Sequence, residues 1–374
     1  MKTNFTPVLF AALLFLRAAA AGAEGKGFSF VVIGDTQRLG PVPYYGISPA
    51  LEKITEEIAL VNPDMIFHLG DVAWGYGEDD VSFRRDLDEA FKLFSRWDTR
   101  VYYTPGNHDT LTKENENEFF RHSLQERYYS IDYNGYHFIV LNTQETSGSE
   151  KGGVSEKQML WLKADISLAR GNKGVFVFMH IPIVTGGRLR ARKYKELAGV
   201  FSAYKVKAVF AGHIHAFAES EYKGVKYIIT GGGGAKTASP ENGGFHHYIV
   251  MEADEAGNLK STVVEPNRLQ ISYSYLQEGG KTIGTAIVSY AGYSGVVLPV
   301  KGLRFTLPKG DYEVVLDRVP PQDRINGWDV WKKQPLLARI TKIKPSQSDP
   351  SKADIYVEAE VPSVYAVSVT LKPK

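Results

Sequence analysis

From Gly27 to about Glu265 the chain alternates short apolar runs with amphipathic ones. Residues 28–33, Phe-Ser-Phe-Val-Val-Ile, predict a buried strand that runs straight into Gly34-Asp35. Residues 48–61 predict a helix, with Ser48 as its cap, Pro49 opening the first turn, and Leu51, Ile54 and Ile58 on one face. The alternation continues with a strand at 65–69, a helix at 81–97 on the spacing of Leu87, Phe91 and Phe94, and a short strand at 101–103. Beyond these come a strand at 136–141, a helix at 154–169 opened by a Ser155-x-x-Gln158 capping box, and strands at 175–179 and 206–211. Such alternation predicts an α/β fold in which helices cover sheets. From about Ile283 the pattern becomes β-rich, with runs at 286–290, 296–300, 312–316, 354–360 and 365–371 between Gly, Pro and Asp turns. That texture predicts a small C-terminal β-sandwich. The expected organisation is a first domain at 24–265, a linker at 266–282 and a second domain at 283–374.

Polar clusters follow the strands of the first region at their carboxyl ends. They read Gly34-Asp35-Thr36-Gln37, Gly70-Asp71, Gly106-Asn107-His108-Asp109, His180 before Ile181-Pro182, and Gly212-His213-Ile214-His215. Ligands of open α/β sheets bind beyond the carboxyl ends of strands, so five distant segments are expected to meet in one crevice. Carboxylates, an amide and imidazoles are donors for hard and borderline divalent cations. Two such ions about 3.5–4 Å apart can clamp an in-line displacement at phosphorus.

Composition narrows the chemistry further. The 374 residues are 43% hydrophobic and 23% charged, enough for a full core and two domains. A net charge of +2 lacks the basic excess that signals nucleic-acid binding. With no cysteine, disulfides, thiolate ligands and cysteine nucleophiles are excluded, and any metal must sit on nitrogen and oxygen. At the amino end Lys2, an apolar stretch at 6–16 and Ala21-Gly22-Ala23 predict an export signal cleaved after Ala23. The apolar run falls short of the roughly 18 residues that span a bilayer. The expectation is an exported protein, periplasmic or secreted, with no membrane anchor after cleavage.

The five blocks, in this order, resemble the calcineurin-like metallophosphoesterase superfamily, which includes purple acid phosphatases and cyclic-nucleotide phosphodiesterases; the resemblance covers about residues 28–265. It implies a four-layer αββα sandwich carrying a metal-dependent phosphoesterase for small-molecule phosphomonoesters or phosphodiesters. It also implies two divalent metal ions (Mn, Fe or Zn), with Asp71 bridging both. Asp35 and His215 would hold the first ion, and Asn107, His180 and His213 the second. A metal-bridging hydroxide would attack, while His108 stabilises the phosphate and protonates the leaving oxygen. Asp109 is expected behind His108, orienting it. The chain departs from the family pattern where Gln37 stands in place of a common His, and where Trp74 stands in place of the purple acid phosphatase Tyr. Gln37 is then either a weak oxygen ligand, favouring harder ions such as Mn²⁺, or an amide bonding from behind. Two alternatives stay open: a phosphodiesterase specific for nucleotides or lipid headgroups, and a degenerate protein that binds metal or phosphate without catalysis.

Other polar residues read as structural. His68 lies in an apolar run and is expected in the core; His122, His137, His246 and His247 are expected to pack. Gly231 to Gly234 lacks the Lys-Ser/Thr of a phosphate loop and predicts a tight turn near the metals. Arg188, Arg190 and Arg192 either clamp a phosphate or form a solvated face. The aromatics of Pro41-x-Pro-Tyr-Tyr45 and Trp74-Gly-Tyr-Gly77 either line the site rim or pack their loops together.

Overall fold

The computed structural model describes residues 27–38, 46–77, 79–145, 152–292, 296–319, 335–363 and 365–374. The export signal and the Pro41–Tyr45 aromatics lie outside the described residues. The first region runs β1 (Phe28–Ile33), α1 (Pro49–Val61), β2 (Met65–His68), α2 (Asp80–Phe94), β3 (Val101–Tyr103), α3 (Lys113–Ser123), β4 (Tyr129–Tyr133) and β5 (Tyr136–Val140). It continues through α4 (Glu156–Leu168), β6 (Gly174–Met179), the short hairpin β7 (Val184–Thr185) and β8 (Arg188–Leu189), α5 (Lys195–Ala203) and β9 (Ala208–Ala211). It closes with β10 (Phe217–Tyr222), β11 (Val225–Thr230), β12 (Tyr248–Ala253) and β13 (Leu259–Val264).

Two mixed sheets result, ordered β13-β12-β1-β2-β3 and β10-β11-β9-β6-β5-β4. Their inner faces meet in an aromatic core of Phe28, Phe30, Phe67, Phe138, Phe176, Phe178 and Phe210, with Phe67 and Phe178 stacked at 3.8 Å. Each fully buried Phe contributes about 1.5–3 kcal/mol, against about 1 kcal/mol for an ordinary hydrogen bond. The sheet-to-sheet contact therefore rests chiefly on these rings. The outer face of the first sheet is covered by α1, α2 and α3, and that of the second by α4 and α5. This is the four-layer αββα arrangement that the family resemblance implies.

Caps explain where the helices begin. Ser48 Oγ accepts from Leu51 N at 3.1 Å with Pro49 in the first turn, as read from the sequence. At α4 only half of the expected capping box forms. Ser155 Oγ accepts from Gln158 N, while the Gln158 side chain turns to Asn142, accepting from its N–H and donating to its C=O. The stronger demand there is a buried loop backbone that needs partners.

The C-terminal region adds β14 (Leu269–Glu278), β15 (Lys281–Tyr290), β16 (Val297–Pro308), β17 (Tyr312–Val319), β18 (Ala338–Pro345), β19 (Lys352–Pro362) and β20 (Ala366–Pro373). They form sheets of order β14-β15-β20-β17 and β16-β19-β18. The stretch expected as a linker at 266–282 is thus corrected. Most of it is strand β14, paired along its length with β15 through the Gly279-Gly280 turn, where both glycines have positive φ. Strand β16 lies hard against α1, for a Cβ at Gly302 would fall 2.4 Å from the Ala59 carbonyl oxygen. Among the described residues no helix is long and apolar enough to cross a membrane.

Glu57 of α1 is fully buried where this junction begins. Its Oε1 accepts from Asn267 N at 2.8 Å, just before β14, and Tyr248 Oη donates to Oε2 at 3.5 Å. Burial pushes its carboxyl up to about 7, against the Asn267 bond and the nearby charge of Lys53. A carboxyl with a raised folded-state pKa contributes stability that is full below the unfolded value and lost as pH rises through the folded one. Glu57→Gln should therefore stabilise the protein by on the order of 2 kcal/mol at pH 8, with the gain fading towards pH 4.5. Thermal melts of both proteins across that range check it; a pH-independent difference would refute it.

Candidate metal centre

The carboxyl ends of β1, β2, β3, β6 and β9 lie side by side, and the loops that leave them are tied to one another. Asp35 N donates to Gly70 O, Thr36 N and Gln37 N donate to Asp71 O, and Gly212 N donates to His180 O. Asp35, Asp71 and His213 take left-handed backbone conformations, with φ of 58°, 55° and 67°. Non-glycine residues rarely do this, and they cluster where function demands a sharp turn. Glycine is required beside the carboxylates. A Cβ at Gly106 would sit 2.0 Å from Asp71 Oδ1, and one at Gly212 would sit 2.4 Å from Asp35 Oδ2.

Two donor sets form, and Asp71 belongs to both. Asp71, His180 and His213 offer atoms all within 4.8 Å of one another, and so do Asp35, Asp71 and His215. Asn107 completes the former set: its Oδ1 lies 2.9 Å from His180 Nε2 and 2.8 Å from His213 Nδ1. His180 Nε2 is 3.3 Å from Asp71 Oδ2, and His215 Nε2 is 3.4 Å from Asp35 Oδ1. The carboxylates and the amide come from the first sheet and the imidazoles from the second. Asp35, Gln37, Asp71, Asn107 and His180 are buried; His108, His213 and His215 are part-exposed and line the opening.

Backbone carbonyls set the imidazoles. His180 Nδ1 donates to Leu69 O and His215 Nδ1 to Lys236 O, each at 2.7 Å, so Nε2 is turned to the cluster. This is how metal-binding histidines are oriented. Burial opposes charge on both rings, yet the carboxylates win. Asp71 and Asp35 push His180 up to about 9, and Asp35 does the same for His215. Burial also opposes the Asp71 charge, but His180 and His108 hold this carboxyl well below the usual range. Burial, helped by the charge of His180, drives His213 down to about 3. Each carboxylate thus faces an imidazole nitrogen within 3.4 Å, a place where a cation would fit.

Gln37 stands beside His215, in the set that includes Asp35. Its amide nitrogen is 3.4 Å from His215 Nε2, and its Oε1 is buried without a hydrogen-bond partner. Amide nitrogen and oxygen exchange places by a simple flip, so the side chain offers an oxygen that a cation would satisfy. Nitrogen and oxygen donors without sulfur, converging in pairs of sets around one carboxylate, fit two divalent cations.

Asp109 takes a different place from that expected. Asp109 is fully buried and its carboxylate accepts four backbone N–H groups: Asp71 at 2.7 Å, Val72 at 2.8 Å, Gly106 at 2.9 Å and Ala73 at 3.3 Å. Burial and the adjacent Asp71 charge push it up to about 7 against those bonds. Asp109 therefore fixes the loop that carries Asp71, and the expectation that it orients His108 is corrected. The His108 ring is held instead by the Trp74 carbonyl, which accepts from Nδ1, while its Nε2 lies 3.9 Å from Asp71 Oδ2. Sequence reasoning also passed over Tyr76 as a partner of Asn107: Asn107 Nδ2 donates to Tyr76 Oη at 3.2 Å. An aromatic two residues beyond Trp74 was the signal available.

The remaining histidines lie outside both donor sets. His68 Nδ1 accepts from Gly70 N and Nε2 donates to Thr36 Oγ1, and burial drives the ring down to about 3. His122 joins Glu118 O to Asp88, and His137 lies between Asp132 and Asp165. His247 is buried beside Phe245, and His246 lies 3.4 Å from Gly232 O. The Gly231 to Gly234 turn does lie at the centre, where a Cβ on Gly231 would fall 2.8 Å from Asp35 Oδ2. Arg188, Arg190 and Arg192 are exposed; only Arg190 is near enough to His213 to oppose its protonation.

Fold and candidate donor sets together are those of a metallophosphoesterase. A family model for the calcineurin-like phosphoesterase matches residues 28–217, half of the sequence, and the chain belongs to that family. It is 27% identical over 185 residues to the serine/threonine-protein phosphatase CPPED1 of Rattus norvegicus, a match covering 46% of this chain and 58% of the relative. It is 22% identical over 241 residues to a probable glycerophosphodiester phosphodiesterase, GpdQ, of Arcobacter nitrofigilis, covering 60% of this chain and 78% of that one. In fold it is similar to a purple acid phosphatase, PPD1, from yellow lupin seeds (TM-score 0.51, 15% identity, 65% of this chain and 52% of that one). The chain thus spans less than two thirds of the rat and lupin proteins' lengths.

The shared carboxylate makes a sharp forecast. Gly106→Ala displaces Asp71 and should weaken binding of both cations at least tenfold, whereas Gly212→Ala displaces Asp35 and should weaken one. Calorimetric titration with Mn²⁺, with circular dichroism to verify folding, measures this. Equal losses in the two variants would contradict the two-set arrangement.

Proposed function

We propose that the protein hydrolyses phosphate esters of small molecules at a pair of divalent cations held by these two donor sets. The observation that carries this reading is the place of Asp71 in both sets, which suits two neighbouring cations rather than one. Asp35, His215 and the Gln37 amide oxygen would hold the first; Asn107, His180 and His213 the second. Cations so placed supply Lewis acidity and lower the pKa of water towards neutrality. Mn²⁺, Fe²⁺ and Zn²⁺ all suit such donors, and the family is typically dependent on two metal ions.

The chain's own residues do the rest. Buried Asp35, Asp71 and His180 form a floor closed to bulk water, and the part-exposed His108, His213 and His215 meet an ester entering from solvent. His108 uses Nδ1 on Trp74 O, so Nε2 is left to hydrogen-bond a phosphoryl oxygen and then protonate the leaving oxygen. Asp109 keeps the Asp71 loop from shifting as charge develops. Relatives named as a phosphatase and as a phosphodiesterase support the reaction class and leave monoester and diester both open. Hydrolysis of p-nitrophenyl phosphate and of its bis-ester, with Mn²⁺, Zn²⁺, Fe²⁺ and Mg²⁺ added separately, tests it. His108→Ala should cost about 10²–10⁴ in rate and Asp71→Asn should abolish turnover, both with the fold intact. Undiminished hydrolysis in the two variants would sink the mechanism; two bound cations without hydrolysis of any ester would favour a degenerate binding protein.

Export belongs to the same proposal, supported by Lys2, the apolar stretch at 6–16 and Ala21-Gly22-Ala23. Protein recovered from the periplasm or medium should begin at Glu24 on amino-terminal sequencing. Retention in the cytoplasm with Met1 in place would overturn it.

A further inference from the structure

The turn Trp74-Gly75-Tyr76 leaves the metal loop and folds back over Asn107 and His108. Gly75 has a φ of +71°, and a Cβ there would fall 2.2 Å from the His108 carbonyl oxygen, so only glycine lets the turn lie this close. Trp74 Nε1 donates to Tyr76 O at 2.8 Å, which pins the turn on itself. The Tyr76 ring meets the His108 ring edge-on, 4.4 Å between centroids at 76°, and the Trp74 ring lies 5.1 Å from it on a tilt. Beneath the ring, Tyr76 Oη accepts from Asn107 Nδ2 at 3.2 Å.

That last bond has a directional consequence. The Asn107 amide has one oxygen and one nitrogen, nearly equal in shape and opposite in chemistry. Only the oxygen can bind a cation, and His180 and His213 both lie against it. With its NH₂ group committed to Tyr76, the amide is held with the oxygen inward. We propose that Tyr76 is the positioning residue of the second cation site: its hydroxyl sets the orientation of Asn107 and thereby the affinity of that site, leaving the Asp35–His215 site untouched. This rests on the two-cation reading above. Asn107 lies against His180 and His213 of the second set, and partners that orient a metal ligand typically govern affinity by 10- to 100-fold.

Tyr76→Phe removes the hydroxyl and keeps the ring. Mn²⁺ titration of the full chain, followed by calorimetry, should show the weaker or stronger of the two binding steps reduced about 10-fold or more, with the other step and the melting temperature of the cation-free protein unchanged. Asn107→Asp supplies the second test, because a carboxylate presents oxygen whichever way it turns. In that background Tyr76→Phe should have no further effect on either step. If Tyr76→Phe binds both cations as the unsubstituted protein does, loses both steps equally, or has the same effect with Asp at position 107, the inference is wrong. If the unsubstituted protein binds no cation, the two-cation reading itself fails, a different result from any of these.

Discussion

The centre depends on one buried carboxylate accepting four backbone N–H groups. Asp109 binds the amides of Gly106, Asp71, Val72 and Ala73, so the loops after β2 and β3 are fastened to a single side chain. Each such bond contributes about 0.5–1.5 kcal/mol, enough together to hold Asp71 at a positive φ that most side chains avoid. Asp71 in turn accepts from His108 N through Oδ1, leaving Oδ2 for the cluster. A carboxyl buried directly behind a carboxylate is costly in isolation, and the cost pushes Asp109 up to about 7. It is tolerated here because the rear one is saturated with amide hydrogens and the front one faces imidazole.

Rigidity behind the site has a different source. The Phe rings between the two sheets lie directly beneath the strand ends that carry the donors, with Phe67 one residue before His68 and Phe178 two residues before His180. Close-packed interiors transmit strain instead of absorbing it. The strand ends are therefore fixed in depth by ring packing and in register by the parallel ladders β1-β2-β3 and β5-β6-β9. The loops need only supply sharp turns, and the glycines before Asp35, Asp71, Asn107 and His213 allow them.

Much of this was legible in the sequence because it is local. Apolar runs ending in glycine and a donor residue marked Asp35, Asp71, Asn107 and His213, and order along the chain did the rest. Helix α3 escaped notice because Lys-Glu-Asn-Glu-Asn-Glu has almost no apolar face; Phe119 is its one large buried side chain and a Thr112–Asn115 capping box starts it. Strand β14 escaped because nearly all of it is exposed, with only Leu269 buried, and strand periodicity needs a half-buried face to appear. The roles of Asp109 and Tyr76 are tertiary facts. An acceptor for amides more than thirty residues earlier in the chain, or a hydroxyl that reads an amide's orientation, leaves no periodic mark.

The division of donors between the sheets has a mechanical corollary. Oxygen donors hang from one half of the sandwich and nitrogen donors from the other, so ions seated between them would act as rivets through the seam. Sliding of one half over the other would be resisted at the rim by coordination and in the interior by aromatic packing, and only the former would yield to acid or to a chelator. Stripping the ions would then leave a sandwich still bonded at its centre and freed at its mouth, able to breathe where a phosphate must enter.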